Sequence, residues 1–145
     1  VLSDALAFAA EGKPAVIIDF ATLTGAARVA LGPELPATFC NDETWMSALL
    51  AASEKTRDPL WRMPLWQSYN AMIEPTLADL VNTGGPQAGA VTAALFLEHF
   101  VPREQAWIHI DLFAWNPKSR AGRPEGGEAQ TLRATLEMLR IRFKS

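Results

Sequence analysis

The sequence predicts an α/β domain with a three-layer αβα architecture, whose central sheet is partly or mostly parallel and is incomplete in this chain. Two short runs, residues 15–20 and 107–112, are candidate strands, and the first is almost continuously apolar, contains β-branched residues and does not alternate with polar ones. Such runs are typical of strands buried on both faces of a parallel sheet. Helical patterns separate the runs, and only two or three strands can be identified, which is few for a doubly wound sheet.

The composition fits one packed domain and argues against several classes of protein. The 145 residues are 49 % hydrophobic and 20 % charged, so a sizeable core can form. The net charge of −3 argues against a nucleic-acid partner, which needs concentrated positive charge. No apolar stretch approaches the roughly 20 residues of a membrane span, so no membrane partner is expected. The single cysteine, Cys40, cannot form an internal disulfide, and we expect a reducing, cytoplasmic setting.

Five helices are predicted from apolar periodicity and from capping or breaking residues. They cover residues 1–10, 26–31, 42–57, 88–100 and 128–143. Asn41 or Asp42 is expected to accept the unpaired N–H groups at the start of the third helix. The predicted apolar face of the last helix consists of Leu132, Leu136, Leu139 and Phe143. Residues 38–40 are a candidate third strand, whereas residues 82–86 and 114–127 are predicted loops.

Two carboxylates, Asp19 and Asp111, lie near the C-terminal ends of the two main predicted strands. Open α/β sheets bind ligands beyond this edge, so the carboxylates could form a pair in a site. Alternatively, each anchors a neighbouring loop by accepting backbone N–H groups, and this interpretation is favoured because few other site-forming residues accompany them. His109 is predicted to be a hydrogen-bonded core residue and His99 a surface residue near a helix end.

The turn at residues 22–25 leaves the first strand at the same edge of the sheet and enters a helix. Its backbone groups could bind a polar small molecule. Equally, the turn could be a simple connection in which Gly25 relieves steric strain. The residues alone support both interpretations.

Five segments together resemble the leucine aminopeptidase (cytosol aminopeptidase) family. Residues 19–26, Asp-Phe-Ala-Thr-Leu-Thr-Gly-Ala, are similar to the family segment Asp-x-Ala-Thr-Leu-Thr-Gly-Ala. The other four resemble, in order, Trp-Arg-hydrophobic-Pro-Leu, Leu-Ala-Asp-x-x-Asn, a Gly-Ala-rich helix and Trp-x-His-hydrophobic-Asp. They occupy residues 61–65, 77–82, 88–97 and 107–111. Each segment alone is a weak signal, but their common order and spacing make the combined match specific.

The resemblance implies that residues 1–145 are the C-terminal portion of a metallo-aminopeptidase catalytic domain. The whole protein would hydrolyse N-terminal, leucine-like amino acids from peptides with two divalent metal ions, zinc or manganese. The family's metal ligands and catalytic residues would precede Val1, so no catalytic residue and no metal ligand is assigned here, and the chain alone is expected to be inactive. The implied partners are a peptide substrate, the remainder of the catalytic domain and further copies in a homo-hexamer.

The resemblance also implies substrate contacts at the turn. The Leu23 carbonyl and the Gly25 N–H would bind the peptide backbone. Thr22 and Gly25 would line the pocket for the first side chain of the peptide. Thr83 would form a further part of that wall.

Two residues after the second predicted strand depart from the family pattern. Phe113 stands where Ala is usual, and Asn116 stands where an apolar or other pocket residue is common. Phe113 either reshapes the first side-chain pocket or faces the core. Both residues remain candidate substrate-binding residues, and the departure affects the expected leucine preference rather than the family.

A non-catalytic α/β binding or interaction module is the alternative function. The missing metal ligands favour such a module. The small number of visible strands opposes it, because buried strands need neighbours on both sides.

Overall fold

Helices and strands alternate along most of the chain, as the sequence predicts. The structure, a computed structural model, describes residues 1–73 and 87–144. Its helices within these ranges are α1 Leu2–Glu11, α2 Gly25–Leu31, α3 Glu43–Thr56, α4 Gly89–Glu98 and α5 Leu132–Arg142, with a 3₁₀ helix at Gln67–Met72. Its strands are β1 Ile17–Ala21, β2 Ala37–Cys40, β3 Trp61–Arg62, β4 Trp107–Asp111, β5 Trp115–Asn116 and β6 Gly126–Gly127. The segment 77–82, the loop 82–86 and the candidate residue Thr83 lie outside the described residues.

Within the described part of the chain, four strands form a mixed central sheet in the order β1-β4-β2-β3. The β1–β4 and β2–β3 pairs are parallel, and the β2–β4 pair is antiparallel. In the β1–β4 register, Ala21 lies beside Asp111 at the carboxyl ends of both strands. The expected partly parallel sheet is therefore confirmed, and the turn that follows β1 begins next to Asp111.

Helices cover both faces of the sheet, which confirms the three-layer prediction. On one face, Ile108 and Ile110 of β4 join a cluster with residues of α3 and α5. On the other face, Trp107 packs with residues of α1 and α4, and Phe39 of β2 packs with residues of α2 and α4. The alternation follows from the two-residue period of a strand. Among the described residues, no helix combines the length and apolar character needed to span a membrane.

Strand β1 is less buried than its apolar run predicts. All five residues of β4 are buried, but Phe20 in β1 is 46 % exposed and Ile18 is half-buried. Within the described residues β1 is an edge strand that pairs only with β4. The expectation of burial on both faces is therefore confirmed for β4 and wrong for β1 within the described residues, because β4 lies between two strands under helices on both faces, whereas Phe20 at the edge of the sheet stays uncovered.

The last helix begins later and buries a different face than predicted. It starts at Leu132 rather than at residue 128, and its buried residues are Ala134, Thr135 and Met138. Three members of the predicted apolar face are more than half exposed: Leu132, Leu136 and Phe143. Ala134 and Met138 join the cluster with residues of α3, and the burial of this face turns Leu132 and Leu136 toward the surface.

Two short pairings were missed by the sequence reasoning. Strand β3 pairs with β2, and the predicted loop 114–127 contains the antiparallel pair β5–β6. Each of these strands has two residues, which is too short to show an alternating pattern. The helix α3 agrees better with its prediction, because the Asp42 side chain accepts a hydrogen bond from the Trp45 N–H at 3.0 Å.

Candidate functional site

Asp111 anchors the turn between β1 and α2. Its carboxylate is 3 % exposed and accepts hydrogen bonds from the Leu23 N–H at 3.0 Å and from the Thr24 N–H at 3.2 Å. The Thr24 hydroxyl donates a further hydrogen bond to the same carboxylate at 2.5 Å. Hydrogen bonds to an ionised acceptor are the strong ones. Of the two interpretations of Asp111, the structure confirms that of a loop anchor.

The Thr24 side chain connects this anchor to the start of α2. While its hydroxyl donates to Asp111, its oxygen accepts the Ala27 N–H at 3.0 Å and so caps the helix. One side chain therefore joins the end of β4, the turn and the first helical residues. This arrangement fixes the backbone of residues 22–25 at the carboxyl edge of the sheet.

The backbone groups on the outer side of this turn are available to a ligand. Leu23 is 40 % exposed, and Gly25 is exposed. Within residues 1–73 and 87–144, no backbone hydrogen bond uses the Leu23 carbonyl or the Gly25 N–H. A Cβ atom built on Gly25 would meet no atom within 4 Å, so glycine does not relieve a clash here and instead leaves open space.

Two clefts meet at Thr24 and Gly25. The first, which we name the Phe113 cleft, has a volume of about 300 Å³, and its wall includes Thr22, Gly25, Arg28, Pro33, Asp111 and Phe113. The second, the Leu23 cleft, has a volume of about 560 Å³, and its wall includes Val1, Leu23, Gly25, Ile73, Thr92 and Phe96. The turn thus separates two cavities that both reach its backbone.

Phe113 lies in the wall of its cleft, half-buried, and not in one of the buried core clusters. The Arg28 guanidinium carbon lies 4.7 Å from the centre of its ring, a cation–π arrangement. Of the two interpretations of Phe113, this position agrees with the one in which it reshapes the cleft. Ala114, which follows it, has φ 56°, a left-handed conformation that favours glycine.

Gln130 fixes the backbone around Phe113, and sequence reasoning missed it. Its side-chain oxygen accepts the N–H groups of Phe113 at 3.2 Å and of Ala114 at 3.0 Å. Its side-chain nitrogen donates to the Pro33 carbonyl at 2.8 Å. Gln130 therefore ties two walls of the Phe113 cleft together. No local pattern signals this role, because the partners lie far away in the sequence.

Asn116 is buried and holds a loop. Its side-chain nitrogen donates to the Arg123 carbonyl at 3.0 Å and to the Pro124 carbonyl at 2.7 Å. It is 4 % exposed and is not one of the residues in the wall of the Phe113 cleft. The structure therefore brings Thr22, Gly25 and Phe113 together, with Leu23 on the adjoining cleft, and leaves Asn116 outside both cleft walls.

Asp19 and His109 belong to the interior rather than to either cleft. One Asp19 oxygen lies 2.6 Å from His109 Nδ1, and the other accepts the Trp107 indole N–H at 2.7 Å. The His109 ring is fully buried and stacks between Phe39 and Trp107. The prediction of a hydrogen-bonded core histidine is confirmed. Asp19 binds side chains and not the backbone of a loop, so the expected role as a loop anchor is wrong for Asp19, which lines neither cleft.

The described part of the chain holds no group of three or more His, Cys, Asp or Glu side chains arranged to bind a metal ion. Burial raises the pKa of the Cys40 thiol to about 11, so this thiol stays protonated near neutral pH and is a poor nucleophile. His99 is exposed, as predicted, and lies 3.1 Å from the Asn70 side-chain oxygen.

Comparisons with known proteins agree with this fold and with the sequence motifs. Residues 1–136 match the model of the cytosol aminopeptidase family, catalytic domain. A relative from Syntrophotalea carbinolica, named "Probable cytosol aminopeptidase", is 44 % identical over 96 % of this chain. That match covers 28 % of the relative, so the chain spans less than a third of its length.

Solved structures give the same result. The crystal structure of cytosol aminopeptidase from Coxiella burnetii is 53 % identical with a TM-score of 0.94, over 99 % of this chain and 32 % of that one. The bottromycin maturation enzyme BotP in complex with Mn is 34 % identical with a TM-score of 0.90, over 97 % of this chain and 32 % of that one. The agreement of motifs, fold and relatives leads to one conclusion: this chain belongs to the cytosol aminopeptidase family and forms part of its catalytic domain.

Proposed function

We propose that the whole protein is a metal-dependent aminopeptidase that removes leucine-like N-terminal amino acids from peptides. Residues 1–145 are the C-terminal portion of its catalytic domain and supply the wall of the substrate site. Membership of the cytosol aminopeptidase family and the small share of each relative that the chain covers support this assignment. The same observations disfavour the alternative function, a non-catalytic binding or interaction module.

The observation that carries the proposal is the anchored turn with unused backbone groups. The Leu23 carbonyl is an acceptor and the Gly25 N–H a donor, which is what an extended peptide backbone requires. The Asp111 carboxylate accepts hydrogen bonds from the turn, so the Leu23 carbonyl and the Gly25 N–H are positioned before a substrate binds. Ordering the binding groups in advance lowers the entropic cost of binding. Thr22 and Phe113 then contact the first side chain in the Phe113 cleft, and Asn116 acts indirectly by holding the loop.

We place the two metal ions, zinc or manganese, in the part of the catalytic domain outside this chain. The absence of a suitable ligand group among the described residues is compatible with this placement. The BotP structure in complex with Mn shows that one similar protein binds manganese. When bound, such ions polarise the scissile carbonyl and lower the pKa of water.

The remaining partners follow from the family. The rest of the catalytic domain would cover β1, whose Phe20 side chain is 46 % exposed. We also propose a homo-hexamer in the cytoplasm. Light scattering of the full-length protein after gel filtration tests the assembly, and a mass of one or two subunits would contradict it. Thr83 remains a proposed part of the substrate wall.

Replacing Thr22 by tryptophan in the full-length protein is expected to raise KM or lower kcat for leucyl amides, by about tenfold in kcat/KM, with unchanged metal content. Thr22 is exposed in the wall of a cleft of about 300 Å³, which an indole at this position would narrow. Steady-state kinetics and elemental analysis measure both quantities. Val29→Trp is the matched control, because Val29 is 87 % exposed on the neighbouring helix and lines neither cleft. Equal kinetics of Thr22→Trp and Val29→Trp would count against the assigned pocket.

A further inference from the structure

The wall of the Phe113 cleft contains one cation, Arg28, whose charge is not used elsewhere in the described residues. Arg28 lies on α2, three residues after Gly25, and its side chain is exposed. Within residues 1–73 and 87–144 its guanidinium forms no ion pair and donates no hydrogen bond. Within these residues the guanidinium stacks on the ring of Phe113, and its central carbon lies 4.7 Å from the centre of the ring.

The stack on Phe113 positions the guanidinium without consuming its hydrogen-bonding capacity. A cation above a ring face interacts through the π system, so the N–H donors at the rim of the guanidinium stay free. Gln130 holds the backbone of Phe113 in place, which makes the ring a fixed platform. The five donors of an arginine suit a carboxylate, which can accept two of them side by side.

Two carboxylates beside this cleft, Asp111 in its wall and Glu34 next to Pro33, already have partners. Asp111, in the cleft wall, binds the turn through Leu23 and Thr24 and does not lie within ion-pairing distance of Arg28. Glu34, next to Pro33 of the wall, pairs with Arg120 at 2.7 Å. Arg28 is therefore left to bind an anionic group that enters the cleft from outside.

We propose that Arg28 makes the enzyme accept peptides with an acidic N-terminal residue, by pairing its guanidinium with the side-chain carboxylate of aspartate or glutamate in the Phe113 cleft. This inference rests on the proposed function, since it assigns the cleft to the first side chain of a peptide substrate. In this proposal the ring of Phe113 positions the Arg28 guanidinium, which selects the substrate.

The test compares glutamyl and glutaminyl amides of aminomethylcoumarin, which have similar shape and differ in charge and which carry no other carboxylate. For the full-length protein, kcat/KM for the glutamyl amide is expected to exceed that for the glutaminyl amide by about tenfold, as a charge-assisted hydrogen bond allows. In Arg28→Met this ratio is expected to fall to about one. Arg28→Lys keeps the positive charge but loses the planar guanidinium, so the ratio of the two kcat/KM values is expected to fall only in part.

Arg103→Met is the matched control, since Arg103 is an exposed arginine that lines a different cleft. In this control variant, the ratio of kcat/KM for the glutamyl amide to that for the glutaminyl amide is expected to equal the ratio in the unchanged protein. A ratio near one in the unchanged protein, or a ratio that survives Arg28→Met, would overturn the inference while leaving the aminopeptidase proposal intact.

A binding measurement separates failure of the inference from failure of the proposed function. If the full-length protein hydrolyses no aminoacyl amide, the proposed function fails. Calorimetry with glutamic acid α-amide and glutaminamide then decides the inference alone. Binding of the acidic amide about tenfold tighter, lost in Arg28→Met, supports the role of Arg28. Equal binding of the two amides contradicts it.

Discussion

Replacing Asp111 by alanine in the full-length protein is expected to lower kcat/KM for leucyl amides by at least about a hundredfold, or about 2.7 kcal/mol. The buried Asp111 carboxylate holds the N–H groups of Leu23 and Thr24 and the Thr24 hydroxyl. Its removal leaves these donors without their acceptor, and each buried donor left unsatisfied costs about 1–3 kcal/mol. The turn would lose its fixed backbone, and the groups at Leu23 and Gly25 would no longer be prearranged. Steady-state kinetics measures the loss.

Hydrogen exchange distinguishes this local effect from general unfolding. The amides of Leu23 and Thr24 are expected to exchange faster in Asp111→Ala, whereas those of the buried strand β4 around Ile108 remain protected. Asp111→Asn keeps one carbonyl acceptor and is expected to lose less activity. If Asp111→Ala retained kcat/KM within about twofold, the anchored turn would not be part of the substrate site.

Replacing Asp58 by alanine is expected to lower the free energy of unfolding by about 3 kcal/mol. Asp58 is 3 % exposed, and its carboxylate accepts the N–H groups of Thr131 at 3.1 Å, Arg133 at 2.8 Å and Ala134 at 3.1 Å. These are the unpaired donors at the start of α5, which has no cap from its own side chains. Urea unfolding of the full-length protein measures the change.

Asp42→Ala provides the comparison for this effect. Asp42 caps α3 through one hydrogen bond from the Trp45 N–H and is only half-buried. Its loss is expected to cost about 1 kcal/mol, as is usual for a helix cap. A smaller destabilisation for Asp58→Ala than for Asp42→Ala would show that the three bonds at α5 contribute little.

Local sequence patterns predicted helices and strands correctly where burial and periodicity agree. The run at residues 107–112 reads as a buried strand, and β4 is buried along its whole length. Asp42 follows the general preference for carboxylates at helix starts. Both features depend on neighbours in the sequence, so the sequence shows them.

The face of α5 could not be predicted in this way. Both stripes of this helix contain apolar residues, and Asp58, more than 70 positions away, binds its first turn. A contact of that range leaves no periodic signal. The same reason explains why Gln130 was missed, since its partners Phe113 and Pro33 lie 17 and 97 positions away from it in the sequence.

The turn was predicted from the residues and its substrate contacts from the family resemblance, but how the turn is held in place needed the structure. The residues alone left two interpretations of Asp111 open, and only the hydrogen bonds to Leu23 and Thr24 show that it is an anchor. The position of Arg28 over Phe113 is likewise a tertiary arrangement, because the two residues belong to α2 and to the segment after β4.

A crystal structure of the full-length protein with a non-hydrolysed peptide analogue tests the central claim most directly. The account predicts that the Leu23 carbonyl oxygen accepts an N–H of the analogue and that the Gly25 N–H donates to it, each at about 3 Å. The first side chain of the analogue should occupy the Phe113 cleft. An analogue bound with its backbone beyond about 5 Å from both Leu23 and Gly25 would contradict the account.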